Sequence, residues 1–258
     1  MHSILVKNSN SSRYAFMLLV ASLPMQMSAA SLSKSNTYVS GEVGYSSSRH
    51  ADFSVASPGT GYTNPTRDIT GPFGHSVAYG VALGYYFMPM FRAEVAYNIR
   101  PNFEYNQTRS DPATDRQRDF DINNQTAMFS AYLNILDLNV FEKIHLGPWD
   151  PYVGVGIGSS WNKTGQLNAT TVSTGEVRAN PIAGDETTNF SWQLMAGTLF
   201  DVKNNLSLEV GYRYVNIGRI AVSNHYTNQV DRPQLISVLS ASSAAVQDIF
   251  AGLHYRFA

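Results

Sequence analysis

The stretch "LSLEVGYRYV", residues 206–215, decides the fold. Leu206, Leu208, Val210, Tyr212 and Tyr214 make one unbroken apolar and aromatic row, while Ser207, Glu209, Gly211 and Arg213 make a second row of small and charged residues. A period of two places successive side chains on opposite faces, which is the signature of a β-strand. In a soluble sheet the apolar row would pack on a core and the charged row would meet water. In a membrane barrel the apolar row meets lipid and the charged row points into the lumen. The remaining sequence decides which medium lies outside.

Composition narrows the choice. Only 14% of the 258 residues are charged, against about a quarter in soluble domains. The 15 Tyr, 13 Phe and 19 Gly favour β-structure. Mean hydropathy is −0.18, and no apolar run after residue 23 approaches the roughly 18 residues of a spanning helix. The chain holds no cysteine, which excludes disulfides, thiolate metal sites and a cysteine nucleophile.

Residues 1–30 read as an export signal. Lys7 and Arg13 form a basic start, "YAFMLLVASL" (14–23) an apolar centre, and Ser28-Ala29-Ala30 a small-residue cleavage site. The expected division is a cleaved signal peptide, 1–30, and one barrel domain, 31–258. Cleavage removes two of the 18 basic residues and none of the 19 acidic ones. The mature chain is then mildly acidic, with no basic run for nucleic acid.

Eight alternating segments follow, over 38–47, 75–87, 91–99, 124–136, 151–161, 190–201, 206–216 and 246–257. Their connectors alternate in kind. "MPM" (88–90) and "VKNN" (202–205) are tight turns and 137–150 is longer, whereas 48–74, 102–123, 162–189 and 217–245 are long and rich in turn-forming residues. A compact soluble domain rarely carries four such loops. A small outer-membrane barrel does. The expected fold is all-β: an eight-stranded antiparallel transmembrane barrel with short periplasmic turns and four long extracellular loops. Ten strands are the alternative if 48–74 or 217–245 rise as hairpins.

With both chain ends on the periplasmic side, the outward rows bring Tyr85, Phe87, Phe91, Phe200, Tyr255 and Phe257 to the lower rim. They bring Tyr45, Tyr97, Trp161, Trp192, Tyr212 and Tyr214 to the upper rim, with Val, Leu, Ile and Ala between. Aromatic belts of this kind mark the two membrane surfaces. The inward rows gather Glu42, Arg92, Glu94, Glu209, Arg213, His254 and Arg256, with Asp248 nearer the upper end. Charges in a narrow lumen must pair or be hydrated. They predict either an ion-pair network that fills the lumen or a charged path for small solutes. Eight strands leave an interior just wide enough for side chains to fill, which favours the first. Gly80, Gly84, Gly154, Gly156 and Gly158 share the inward rows with the larger Tyr86, Tyr132, Met195 and Phe250 and make room for them. "VGVGIGSS" (153–160) lacks the lysine of a phosphate-binding loop and alternates as a strand.

"FSWQLMAGTLFDVKNNLSLEVGYRYVNIG" (190–218), "YVGVGIGSSW" (152–161) and "FAGLHYRF" (250–257) resemble the small outer-membrane barrels of the opacity-protein and OmpA-transmembrane-domain superfamily. "FRAEVAYNIRP" (91–101) parallels "LSLEVGYRYVN" (206–216), as in repeated barrel hairpins. The resemblance implies a bacterial outer-membrane location, with lipid and lipopolysaccharide as surroundings. It also implies a client of the barrel-assembly machinery, which recognises a last strand ending in an aromatic. Here Ala258 follows Phe257, one residue beyond that pattern.

Such barrels host passive and catalytic proteins alike. The expected role is structural and adhesin-like, with loops that meet host or cell-surface molecules, because binding concentrates on loops held by a rigid scaffold. A narrow porin is the alternative. A lipid- or peptide-modifying enzyme ranks third: His50, His75 and His225 lie beside outer loops rich in Ser and Asp, but no spacing singles out a nucleophile, base and acid. No catalytic residue, cofactor or metal is expected. "NQTRSDPATDRQRDFD" (106–121) reads as a solvated loop or a contact for lipopolysaccharide phosphates. In "LDLNVFEKIHLGPWD" (136–150), Leu136, Val140, Phe141 and Ile144 have helical spacing, so the segment is an interfacial helix or an extended turn that restarts the fifth strand near Trp149.

Overall fold

Eight long antiparallel strands close on themselves in the computed structural model. The structure describes residues 36–49, 51–56, 69–71, 73–109, 116–135, 149–171, 174–177, 181–203, 205–226 and 238–257. The expected export signal and residues 136–148 lie outside the described residues. The described strands are β1 (Thr37–Ser48), β2 (Ala51–Ala56), β3 (Ile69–Gly71), β4 (His75–Met88), β5 (Phe91–Arg109), β6 (Arg116–Asn134), β7 (Trp149–Thr164), β8 (Asn168–Thr171), β9 (Ile182–Gly184), β10 (Glu186–Lys203), β11 (Leu206–Tyr226) and β12 (Val238–Arg256). The ring runs β1-β4-β5-β6-β7-β10-β11-β12 and returns to β1, with Tyr38 opposite Arg256 and Ser48 opposite Val246. A closed ring leaves no sheet edge, the condition for a sheet to lie in lipid.

Along β4, exposed and buried residues alternate without a break from His75 to Tyr85. Val77, Val81 and Leu83 project outward, with Val81 62% exposed. In the deciding stretch, Leu208, Val210 and Tyr212 are exposed while Glu209 and Arg213 are buried inside. Lipid is therefore the outer medium.

The strands run further than the sequence expectation. β5 continues to Arg109 where 99 was expected, β6 begins at Arg116 instead of 124, β11 reaches Tyr226 instead of 216, and β12 begins at Val238 instead of 246. Much of the expected loops 102–123 and 217–245 is therefore sheet. β11 has 21 residues, which at about 3.3 Å each and a tilt near 45° gives a height of roughly 50 Å. The hydrocarbon layer is about 30 Å thick. A substantial crown therefore stands above the membrane.

In the crown the two faces exchange character. On β6 the inward row passes from Tyr132, Ser130, Thr126 and Asn124 to Ile122 and Phe120, while the outward row passes from Phe129 and Ala127 to Gln125 and Asp121. β5 makes the same exchange through a bulge: its register jumps from Arg100–Asn124 to Phe103–Ile122, with Asn102 at φ 55°. Asn tolerates that left-handed backbone, and the shift turns Phe103 and Tyr105 inward. They join Phe53, Phe73, Phe120, Ile122, Ile217 and Ile220 in an apolar core at the top of the barrel. Water now surrounds the outside, so apolar side chains belong within.

The 48–74 segment does carry a hairpin. β2 pairs with β3 and with the upper end of β12, from Val238 opposite Ala56 to Ala241 opposite Phe53. It extends the crown sheet without entering the ring, which stays eight-stranded.

Candidate functional site

The lower lumen is built around Arg92 on β5, which is 0% exposed. Its guanidinium carbon lies 4.3 Å from the Tyr132 ring centroid and 4.6 Å from that of Tyr152. Nη2 lies 3.3 Å from Glu209 Oε1, and Glu209 Oε2 lies 2.6 Å from His254 Nε2. His254 Nδ1 sits 3.5 Å from Arg92 Nη1. A guanidinium only donates, so Nδ1 accepts and Nε2–H donates to Glu209; this tautomer serves both contacts. The ring also stacks on Tyr38 at 4.9 Å. Tyr38 donates to Glu94 Oε2 at 2.8 Å, and Tyr132 donates to the other oxygen of Glu94. The Tyr38 ring lies over Gly84, where any Cβ would overlap it.

The upper lumen is built around Asp248 on β12. Arg100 reaches it with Nη2 at 2.6 Å and Nε at 3.1 Å, and Arg213 with Nε at 3.1 Å. Arg213 also pairs with Glu42 and lies over the Phe250 ring at 4.6 Å. Arg100 Nη1 donates to Asn124 Oδ1 at 3.0 Å and Thr126 Oγ1 at 3.2 Å. Asn124 in turn donates to Ser160 at 2.8 Å and Asn162 at 2.7 Å. The chemistry of both layers is charge pairing with dense side-chain hydrogen bonding, which holds groups in place.

Glu42, Arg92, Glu94, Glu209, Arg213 and His254 thus meet within the lumen. Arg256 does not join them. It is exposed at the periplasmic mouth, with its guanidinium 4.2 Å from the Tyr86 ring. The third buried arginine is Arg100, which ending the strand at 99 had left out. Its signal was parity, since 92, 94, 96, 98 and 100 all point inward. The tyrosine and asparagine partners carried no charge to mark them.

On the outer face, Tyr85, Phe87, Phe91, Phe200, Tyr255 and Phe257 surround the lower end, with ring pairs Tyr85–Phe87 at 5.0 Å and Tyr255–Phe257 at 5.7 Å. Trp149 begins β7 and packs on Phe200 at 5.0 Å. Tyr45, Tyr97, Trp161, Trp192, Tyr212 and Tyr214 stand at the upper end, none of them buried, with Trp192–Tyr214 at 5.5 Å. His75 stacks on Tyr45 at 5.6 Å. His50 and the side chain of His225 lie outside the described residues. Among the described residues no three metal-ligating side chains converge. In the crown core the buried Tyr105 hydroxyl has no hydrogen-bond partner among the described residues, and burial pushes its phenol up, opposed only in part by Arg118.

The chain is similar to the outer membrane protein PagN of Salmonella typhimurium, with 23% identity over 252 residues that cover 94% of this chain and 98% of PagN. A protein of Brucella suis is 25% identical over 202 residues, 70% of this chain and 68% of that one. Among solved structures, Neisserial surface protein A is similar over 87% of this chain and 99% of its own, at 14% identity and a TM-score of 0.47. The outer membrane protein beta-barrel domain family matches residues 15–257, so the chain belongs to that family and resides in the bacterial outer membrane.

Proposed function

We propose that the protein is an adhesin-like surface barrel of the envelope, in which the ring is an anchor and the crown is the working part. The observation that supports this reading is the apolar core that roofs the lumen, from Phe53 and Phe103 to Ile217 and Ile220. Below it lie the Asp248 layer and then the Arg92 layer. A solute would have to displace an apolar core and two paired-charge layers in turn. The same core makes the extracellular strands a folded platform, and a rigid platform presents its connecting tips at low entropic cost. Lipopolysaccharide is the proposed neighbour of the upper girdle, and a host or neighbouring cell the proposed partner of the tips. A narrow pore would use the same charged rows only if all three closures moved. The third reading, a barrel enzyme, draws no support from His75 on Tyr45 or from His254 in the lumen.

Two measurements test the proposal. Planar-bilayer recording of the refolded mature chain, first checked by its heat-modifiable gel shift, should be silent. Steady, salt-dependent openings altered by Arg213→Gln would favour the pore. Cells displaying the protein should bind cultured host cells, and replacing 57–68 and 227–237 by Gly-Ser linkers should abolish that binding. Binding unchanged by the replacement would overturn the surface role.

A further inference from the structure

On the outer face of β10 two small residues interrupt a row of large ones. Upward from the periplasmic rim the row is Phe200, Thr198, Ala196, Leu194 and Trp192. The register sets Phe200 between Trp149 of β7 and Leu208 of β11, and Thr198 between Pro151 and Val210. A trench therefore opens above Phe200, about 250 Å³ in volume, lined by Trp149, Thr198, Phe200, Leu208 and Val210. The Thr198 hydroxyl is already engaged, donating to the carbonyl of Leu199 at 3.3 Å. Sites that enclose a whole small molecule run from roughly 300 to 1,000 Å³, so this depression suits a single hydrocarbon chain. Below Phe200 the strand is re-aimed. Asp201 lies opposite Ser207 and accepts from its hydroxyl at 2.6 Å, but the next paired residue is Lys203, opposite Leu206, so Val202 is the extra residue of a β-bulge. Leu206 shares the outward row of Leu208 and Val210 and lies opposite the outward Tyr255. Strict alternation would have sent Lys203 inward with Leu199 and Asp201; the bulge turns it to the lipid side, where it is exposed. Three residues of tilted strand place it about 7 Å below Phe200, at the level of lipid headgroups beneath the aromatic girdle.

We infer that the trench binds one anionic phospholipid of the periplasmic leaflet, with an acyl chain laid along β10 over Thr198 and Ala196 and the phosphate at Lys203. Apolarity alone selects nothing here, because a chain that leaves the trench returns to hydrocarbon of the same kind. Shape and charge do select. Where two small side chains sit among large ones, a chain that follows the trench gains contacts on its floor and both walls that a chain crossing it forgoes. The ammonium then fixes which end of the lipid lies below, and it discriminates by charge, since a net negative headgroup meets an unpaired cation more favourably than a zwitterionic one does. The tilted Trp149–Phe200 ring pair, at 5.0 Å, closes the trench on the headgroup side. This goes beyond the adhesin-like reading and does not depend on it.

The test uses Trp149 as its own reporter, since it lines the trench while the other two tryptophans, Trp161 and Trp192, stand at the upper rim. Trp161→Phe with Trp192→Phe leaves Trp149 as the sole fluorophore, and Trp149→Phe with Trp161→Phe leaves Trp192 as the reference. Each refolded chain, checked by its heat-modifiable gel shift, is placed in phosphatidylcholine vesicles with increasing fractions of phosphatidylglycerol brominated on its acyl chains. Trp149 should reach half-maximal quenching at a severalfold lower fraction of brominated lipid than Trp192. Lys203→Gln should reduce the preference of Trp149 for brominated phosphatidylglycerol over brominated phosphatidylcholine by up to about fivefold, the range of an exposed ion pair. Thr198→Leu, which fills the trench and suits a lipid-facing position, should bring Trp149 to the behaviour of Trp192 with either lipid. Equal half-maximal fractions for the two tryptophans, unchanged by both variants, would overturn the site, because the trench would then hold bulk lipid. So would quenching of Trp149 that rises as the protein is diluted into excess lipid, because a second copy of the chain would then be the occupant.

Discussion

Asp248→Asn is the substitution that the lumen should tolerate least. The native carboxylate is fully buried and receives two guanidinium groups, Arg100 at 2.6 Å and Arg213 at 3.1 Å, both of which are themselves buried. The amide keeps the shape and removes the charge. Arg213 retains Glu42, but Arg100 is left with neutral acceptors alone: the new amide oxygen, Asn124 and Thr126. Stranding one partner of a buried pair costs about 3–5 kcal/mol, and one carboxylate serving two cations places Asp248 near the upper end. Adding Arg100→Met removes the stranded charge, so the double variant should be more stable than Asp248→Asn alone. The assay is equilibrium urea unfolding in lipid vesicles, followed by tryptophan fluorescence and the gel shift. Asp201→Asn is the control, because Asp201 is exposed and accepts from Ser207 in a single-partner contact among the described residues. A loss below about 1 kcal/mol for Asp248→Asn, the range of exposed pairs, would refute the paired-lumen reasoning. So would a double variant whose loss equals the sum of the single ones.

Two of the buried tyrosines, Tyr105 and Tyr38, should respond in opposite senses to the loss of a hydroxyl. Tyr105→Phe removes an unpartnered group and should be neutral or gain about 1 kcal/mol, whereas Tyr38→Phe takes a donor from Glu94 and should cost about 1–3 kcal/mol in the same unfolding assay. The outer face should separate lipid from water: Val81→Arg should cost about 2–4 kcal/mol. In the crown, Asp121→Arg places a cation opposite Glu104 and should be neutral or slightly stabilising, read by the same urea midpoints. Replacing Arg92, Glu209 and His254 together by Met, Leu and Phe should leave stability level or higher while splitting the folded band on native gels into more than one species.

The ring was legible because each stave crosses lipid with a strict period of two, and Leu208, Val210 and Tyr212 needed no information beyond their own strand. The lumen was legible to the extent that its members are charged. Glu42, Arg92, Glu94, Glu209 and Arg213 announce themselves in inward rows, while Tyr38, Asn124 and Asn162 are ordinary polar residues whose roles exist only once the far wall is in place. The crown was misread for a physical reason. Its outward residues, such as Glu104 and Asp121, look like a loop, and Phe103 and Tyr105 have the parity of the lipid-facing row until the Asn102 bulge turns them inward. Arg100 lay one residue past the strand end expected at 99 and was lost with it. A pattern rule written for one medium fails where a strand passes into another.

That passage also explains why the lumen is charged when an apolar filling would be as stable. A slip of one residue in a stave moves its inward row to the lipid face. In a narrow barrel with similar apolar residues on every stave, an apolar lumen would penalise such a slip little. The arginine pairs penalise it severely, because each links staves apart in the ring or across its closing seam: Arg92 of β5 to Glu209 of β11, Arg100 of β5 to Asp248 of β12, and Arg213 of β11 to Glu42 of β1. A slip in β5 or β11 would place a guanidinium in lipid, at about 2–4 kcal/mol each, and leave a carboxylate stranded inside. The charges contribute uniqueness more than depth, and Asn162 depends on that uniqueness, because its hydrogen bonds to the carbonyls of Ile217 and Arg219 on β11 exist in one register only. The crown inherits its shape from a lumen that can close in a single way.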